Sequence, residues 1–521
     1  MSLELVKESI RVNQIVGEDS TQAVIESDII VPDTKPDVAR ILLLDGDVHV
    51  NRLETVQDKV IVEGAIRYNI IYVSDEDEAS IKSINTAVNF SEDLNIAGTR
   101  QDMSCKVKCD VEHVQYEILN SRKINTKAII KLNGRVVNEI EKQIVNDLTG
   151  VNNIQILRKK FNINCYLGRG ESVTSISEKM EVPAGKPAIR EVLRTDVKIG
   201  NKQYKITENK IITEGEINVS TLYIGDDERG SIQSMEHGIP FTQFVDLPGI
   251  NEEGRIELDF DIVDSSFEPE EDSDGELRLM KGEIELSINA EGYCKRDVGI
   301  IEDAYSPRSK MDIEKHPFRV EELVGESRSQ AILKDSLILD DESPDISEVF
   351  NVLAKPVLSE YRIMDNKIVI EGAVKNSVLY LADNEENPVF SYEQEIPFRH
   401  TVEVDGITPD MSCDVSLDVE HCNYSMISAR EVEVRLILDV NTGAVNRISI
   451  PVIERIVESP VDDKRSESQP SITIYFTQPG DTLWKIGKRY YSVLDDIREL
   501  NNLDDDTIKP GQQILIPRRN A

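Results

Sequence analysis

The chain has 521 residues, too many for one hydrophobic core, so several domains are expected. Its 97 acidic residues against 59 basic give a net charge of −38, a field that repels nucleic acid and anionic lipid and suits a basic partner. No run reaches the roughly 20 apolar residues of a membrane-spanning helix, Glu4, Lys7 and Glu8 interrupt any signal-peptide core, and six cysteines fit thiols in a reducing compartment better than a disulfide framework.

The first recurring element is KVIVEG at Lys59–Gly64, which returns as KIITEG at Lys210–Gly215 and as KIVIEG at Lys367–Gly372. Tyr72, Tyr223 and Tyr380 each stand eight residues beyond the glycine, and acidic turns follow from Asp75, Asp226 and Asp383. The same offsets, 151 and then 157, relate Gly17 to Gly168 and Gly325, and Pro36 to Pro187 and Pro344. From Asp102 to Arg122, 11 of 21 residues recur between Asp410 and Arg430, where average composition gives about one. The chain therefore carries three copies of one unit, near 10–138, 161–305 and 318–450. Domains are expected at 1–150, 151–312 and 313–455, with a linker at 456–470 and a small domain at 471–521.

Each copy reads mainly as strand. KVIVEGAIRYNIIYV and KIVIEGAVKNSVLYL are rich in β-branched and aromatic residues and end in acidic turns. The proline-led piece predicts one short helix per copy. In SPDISEVFNVL, Ser343 can cap, Pro344 suits the first helical position, and Ile346, Val349 and Phe350 fall on one face. The expected fold is mainly β: three tandem strand-rich repeats, each a sandwich or open barrel with a short helix, plus a small C-terminal β-α-α-β domain.

Cys105, Cys109 and His113 have a spacing that invites a zinc site. Period-two alternation argues instead for a half-buried strand: Cys105, Val107, Cys109, Val111 and His113 on one face, Lys106, Lys108, Asp110 and Glu112 on the other. The third copy places Cys413, Val415, Leu417, Val419 and His421 on that face, and the second Ile256, Leu258, Phe260, Ile262 and Asp264. A ligand cannot exchange with phenylalanine, so the cysteines read as small hydrophobes, and the two histidines as satisfying a local backbone group at the strand's exit. His49, His237, His316 and His400 are scattered, and the acidic run Glu268–Glu276 lacks the EF-hand pattern and reads as a solvated loop. The glycine-rich GRGES at Gly168–Ser172 reads as a turn. No Walker A, GxGxxG or GxSxG pattern occurs, so neither enzyme chemistry, nor a cofactor, nor a metal is expected.

After the polar ESPVDDKRSESQP, charge balance changes: residues 471–521 hold seven acidic and seven basic side chains. A strand at Ile472–Phe476 leads into Pro479-Gly480, Asp481 or Thr482 caps a first helix, Ser492 is placed to cap a second that Asn501-Asn502 ends, and Pro510-Gly511 turns into a last strand, Gln513–Ile516. PGDTLWKI (Pro479–Ile486), ELNNL (Glu499–Leu503) and IKPGQQILIP (Ile508–Pro517) resemble the LysM domain over its full length. Tyr491 departs from that pattern, which often has glycine there. The resemblance implies a shallow groove for N-acetylglucosamine polymers between two loops: Gly480, Asp481, Thr482 and Leu483, and Ile508, Lys509, Pro510 and Gly511. Leu483 and Ile508 are expected to supply its apolar floor.

Acidic repeats with K-[IV]-x-x-E-G…Y and P-D-[IV] patterns before one terminal LysM resemble the SPOCS-repeat spore coat morphogenetic proteins. That resemblance implies a non-enzymatic adaptor in the mother-cell cytoplasm, at the forespore outer surface and in the spore coat. Its implied partners are the coat basement-layer ATPase, gripped through LysM, and other coat proteins, with no nucleic acid and no direct membrane insertion. The alternative is a cell-wall or cortex-associated protein whose LysM binds peptidoglycan.

Overall fold

The computed structural model describes residues 3–75, 80–150, 153–228, 230–382, 389–460 and 471–517. The first repeat comprises β1 (Glu4–Ile30), β2 (Val38–Val56), β3 (Lys59–Ser74), β4 (Ile81–Leu94), β5 (Ser104–Asn120) and β6 (Lys123–Thr149). They form two antiparallel sheets, ordered β1-β6-β5 and β2-β3-β4, that share one buried cluster. The second repeat repeats this plan with β7 (Gln155–Glu181), β8 (Ile189–Thr207), β9 (Lys210–Gly225), β10 (Ile232–Asp246), β11 (Arg255–Glu270) and β12 (Leu279–Tyr305). So does the third, with β13 (Ser309–Ile338), β14 (Ile346–Met364), β15 (Lys367–Ala382), β16 (Val389–Glu403), β17 (Ser412–Ser428) and β18 (Glu431–Pro460).

The recurring residues have physical reasons. The Tyr72 hydroxyl donates to the Pro36 carbonyl at 3.0 Å, and Tyr223 and Tyr380 do the same to Pro187 and Pro344 at 3.1 Å. Arg122 and Arg430 clamp the same turn through Asp37 and Asp345, both at 2.8 Å. In the second repeat Ala188 replaces the aspartate, and the Arg278 guanidinium donates to the Lys186 carbonyl at 3.2 Å. Opposite each EG glycine lies a phenylalanine, Phe90, Phe241 or Phe398. A Cβ at Gly64 would stand 2.6 Å from the Phe90 ring and 2.5 Å from the His49 carbonyl oxygen.

The expected helix in each repeat is corrected: Ile346–Met364 is strand, as are Val38–Val56 and Ile189–Thr207. Two bulges in quick succession, after Ile346 and after Val349, each add an unpaired residue, so apolar side chains recur at helical spacing on a strand. The same pair of bulges opens β2 and β8. The second extra residue is Leu42, Leu193 or Phe350, and all three meet in one cluster with Ile71, Leu222 and Leu379. These are equivalent positions of three repeats, which therefore close about a pseudo-threefold axis.

The long strands close the other end. β1 and β6 pair from Glu4↔Thr149 to Ile30↔Lys123, whereas β5 covers β6 only as far as Val137, leaving a two-stranded ribbon. Its apolar face meets the ribbons of the other repeats: Val12 with Ile163 and Val320, and Ile144 with Ile300 and Val452, share a cluster. A bulge at Val16, Leu167 or Val324, beside Gly17, Gly168 or Gly325, bends each ribbon away from its sheet. GRGES is thus regularly paired strand within β7, directly after the bulge at Leu167, not a turn.

The cysteine strand is packed as expected as far as Val111. Cys105, Val107, Cys109 and Val111 line the first core, and burial pushes the Cys105 and Cys109 thiols up to about 11. A bulge after Val111, and after Val419 in the third repeat, then turns His113 and His421 outward to solvent and brings Val114 and Cys422 inward. Asp272 ties the acidic loop by accepting from the Asp274 and Glu276 amides at 2.9 and 3.1 Å. The turns from Asp75 and Asp383 lie mostly outside the described residues, as does 461–470 of the expected linker, while β18 runs on to Pro460.

Gly64→Ala should lower the stability of the repeats by about 1–3 kcal/mol in urea unfolding, because backbone and ring both block the new methyl. Gly299→Ala, where a Cβ meets nothing within 4 Å, should be near neutral.

Candidate functional site

The C-terminal module is a two-stranded sheet, β19 (Ile472–Phe476) with β20 (Gln513–Pro517), packed on α1 (Leu483–Tyr490) and α2 (Leu494–Asn501). Thr482 caps α1, its hydroxyl accepting from the Lys485 amide at 3.2 Å. Ser492 does not cap α2. Val493 stands at that cap without a side-chain bond, and the Ser492 hydroxyl donates to the Pro517 carbonyl at 3.1 Å. Asn501 joins α2 to β20, its carboxamide bonding both the amide and the carbonyl of Leu515 at 2.7 and 2.6 Å.

The two expected binding loops lie side by side. Thr477, not singled out by the sequence, clasps them: its carbonyl accepts from the Gly511 amide at 2.7 Å, and its hydroxyl donates to the Lys509 carbonyl. Asp481 shapes the first loop. The Gln478 amide and the Tyr475 hydroxyl, both at 2.8 Å, hold its carboxyl below the ordinary range. Gly480 and Gly511 have φ of +87° and +81° and open space around them, so backbone conformation explains both. Gly480, Thr482, Lys509, Pro510 and Gly511 are exposed, and Ile508 is half-buried. Leu483 is 0% exposed within the module's core, so its side chain cannot floor a groove. Beside these loops, β19 presents an apolar strip that no pattern had flagged: Ile472, Ile474 and Phe476 are 48%, 58% and 61% exposed.

The module is seated on the second repeat through α1 and the turn that follows it. Trp484 donates from Nε1 to Asp303 at 3.0 Å, and its ring meets Tyr305 edge-on, with centroids 5.0 Å apart. Lys488 reaches both Asp303 oxygens at 2.7 Å. The buried Tyr305 hydroxyl donates to the Ser492 carbonyl at 2.7 Å. Gly487 must be glycine here, since a Cβ would stand 2.4 Å from that hydroxyl. Tyr491, at the family's customary glycine, takes the left-handed conformation with φ 55° and closes α1 next to this seat. Burial opposes the charge on Asp303, yet hydrogen bonds from Lys488 and Trp484 outweigh it and hold the carboxyl below its usual range.

Among the described residues no three His, Cys, Asp or Glu side chains converge as metal ligands, and no helix is long and apolar enough to cross a membrane. Sequence comparison defines a class of tandem binding protein. The SipL SPOCS-domain family matches residues 37–119, 188–270 and 345–427, and the LysM family matches 475–517. The chain is thus a SipL-like protein, with three SPOCS domains followed by one LysM domain. These are non-catalytic binding domains. Curated relatives include a Bacillus subtilis (strain 168) protein described as "Putative sporulation-specific glycosylase YdhD", 50% identical over 44 residues, 8% of this chain and 10% of that one. Another is the uncharacterized protein YkzQ of the same strain, 41% identical over 46 residues, 9% of this chain and 61% of that one. The chain thus spans less than two thirds of either relative. No solved structure matches.

Asp303 holds the seat only while ionised. Its carboxyl is depressed in the folded chain, so its contribution is full above the ordinary aspartate value and lost as pH falls through the depressed one. Trp484, the only tryptophan, should therefore shift its emission to the red on acidification. Asp303→Ala should show the shifted emission already at neutral pH, checked by steady-state fluorescence.

Proposed function

We propose that this protein is a non-enzymatic spore coat morphogenetic scaffold. Its LysM module binds the coat basement-layer ATPase in the mother cell and recruits coat to the forespore surface for encasement. The SPOCS–LysM composition supports the sporulation role. The single observation that favours a protein ligand over a glycan is the exposed strip Ile472, Ile474 and Phe476 beside the loops. Three large apolar side chains in a row fit the desolvated centre of a protein interface. Gly480, Asp481, Thr482, Lys509, Pro510 and Gly511 form its polar border, with Ile508 and the backbone of Leu483 between them. The core shared by the two sheets of each repeat supports a sandwich rather than an open barrel. The repeats then serve as further docking surfaces, for other coat proteins, with affinities multiplied by their linkage.

The second reading, a peptidoglycan- or N-acetylglucosamine-binding protein of cell wall or cortex, rests on the exposed glycine turns, whose backbone groups can hydrogen-bond acetamido groups. Calorimetric titration of the full chain separates the two. The ATPase should saturate it, N-acetylglucosamine oligomers should not, and Ile474→Asp should weaken ATPase binding at least about tenfold, the effect of losing an apolar anchor. Saturation by the oligomers alone would establish the second reading instead.

A further inference from the structure

Four of the six cysteines face hydrocarbon across their ladders: Cys105 opposes Val136, Cys109 Leu132, Cys413 Ala444 and Cys422 Leu436. The other two oppose each other. Cys165 on β7 is directly paired with Cys294 on β12, both side chains pack on the central ribbon cluster, and both are thiols. The same rung holds Gln14 with Asn138 in the first repeat, and Glu322 with Asn446 in the third, the latter hydrogen-bonded at 3.3 Å. The second repeat alone puts two sulfurs where its siblings put a polar pair. Directly opposed residues of an antiparallel ladder have Cα atoms about 4.5–5.5 Å apart, inside the roughly 4.4–6.8 Å that a disulfide spans.

We propose that Cys165 and Cys294 form a redox-responsive dithiol that closes to a disulfide and staples β7 to β12, in the ribbon whose end seats the LysM module. Cys294 is half-buried and Cys165 buried, so an oxidant meets Cys294 first. Burial raises both thiols, Cys165 to about 11, while Arg296 and the Cys165 S–H counter the rise at Cys294. With hydrogen peroxide as the oxidant, the Cys294 thiolate attacks one peroxide oxygen, forming a sulfenic acid, and the departing hydroxide takes up the proton that Cys294 lost. The Cys165 sulfur then attacks the Cys294 sulfur, the S–O bond breaks, and the leaving hydroxide takes the Cys165 proton as a second water. Two thiols and one peroxide give one disulfide and two waters, the sulfurs supplying the two electrons. In a reducing compartment the pair stays open.

The test is stepwise addition of hydrogen peroxide to the reduced full chain, followed by thiol blocking and peptide mass mapping without reductant. The first product should have lost two hydrogens and carry a peptide joining Cys165 to Cys294, reversed by dithiothreitol. The linked chain should unfold at a temperature roughly 5 °C higher than the reduced one, since the bond closes a long loop in the unfolded chain. A chain with Cys105, Cys109, Cys413 and Cys422 all replaced by alanine should give the same linked peptide if it folds. The wild-type map decides the question regardless. Another pair linking first, or Cys294 passing to sulfinic acid while Cys165 stays free, would overturn the proposal, as would a linked chain with an unshifted unfolding temperature.

Discussion

The ribbons that project beyond each third strand carry an apolar face that no single repeat can cover. A two-stranded ribbon is marginal in water by itself, yet Ile10, Val12 and Ile144 of the first are fully buried, because the other two ribbons lie against them. A further ring of equivalent side chains, Val145, Ile301 and Ile453, continues the contact toward the ribbon ends. Mutual burial of three copies is thus the condition for any one of them to be complete. It explains why the units resemble a closed ring more than an extendable array, in which terminal units would need polar caps.

The LysM seat depends on that closure and on one departure from symmetry. Asp303 and Tyr305 lie at the end of β12, just beyond the ribbon clusters. The equivalent positions are Asp147 and Thr149 in the first repeat, and Arg455 and Val457 in the third. Asp147 is already engaged by Arg158. Only the second repeat therefore offers both a free carboxylate for Trp484 and Lys488 and a phenol for the Ser492 carbonyl. A near-symmetric ring accordingly accepts a single module in one orientation, with Gly480, Thr482, Lys509, Pro510, Gly511 and the β19 strip left exposed.

The three repeats, their mainly β character and the final β-α-α-β module were legible because each leaves a local mark: fixed offsets, alternation and turn residues. The proline-led helix was misread because bulges at Ser347 and Phe350 mimic helical spacing. Period two likewise placed His113 inward, since one extra residue in the strand is invisible in the pattern but reverses every side chain after it. Leu483 looked available because a motif position says nothing of which way a side chain turns. The seat was illegible for a different reason. Tyr305 and Trp484 are 179 positions apart in the chain, and nothing in either neighbourhood names the other. Thr477 was within reach, because a small hydroxyl residue between a strand and a proline-glycine turn is where a loop clasp would sit.

Charge completes the picture of how the ring finds its order. Cations are few in this chain, and many lie on seams between repeats: Lys106 bonds Glu291 at 2.9 Å between the first and second, Arg255 pairs with Glu326 between the second and third, and Lys355 meets Asp110 at 2.7 Å between the third and first. Arg194, only 8% exposed, joins Asp45 of the first repeat at 2.9 Å. The more exposed of these pairs, such as Lys355 with Asp110, add about 0–1 kcal/mol each, so they do little to hold the ring shut. Their effect is on order. Each seam uses a different pairing, so the three contacts are not interchangeable although the repeats that make them are equivalent. The whole net charge of −38 lies upstream of residue 471, since residues 471–521 carry seven acidic and seven basic side chains, so the balanced LysM module is the part that a partner can approach with least work against the field of the whole.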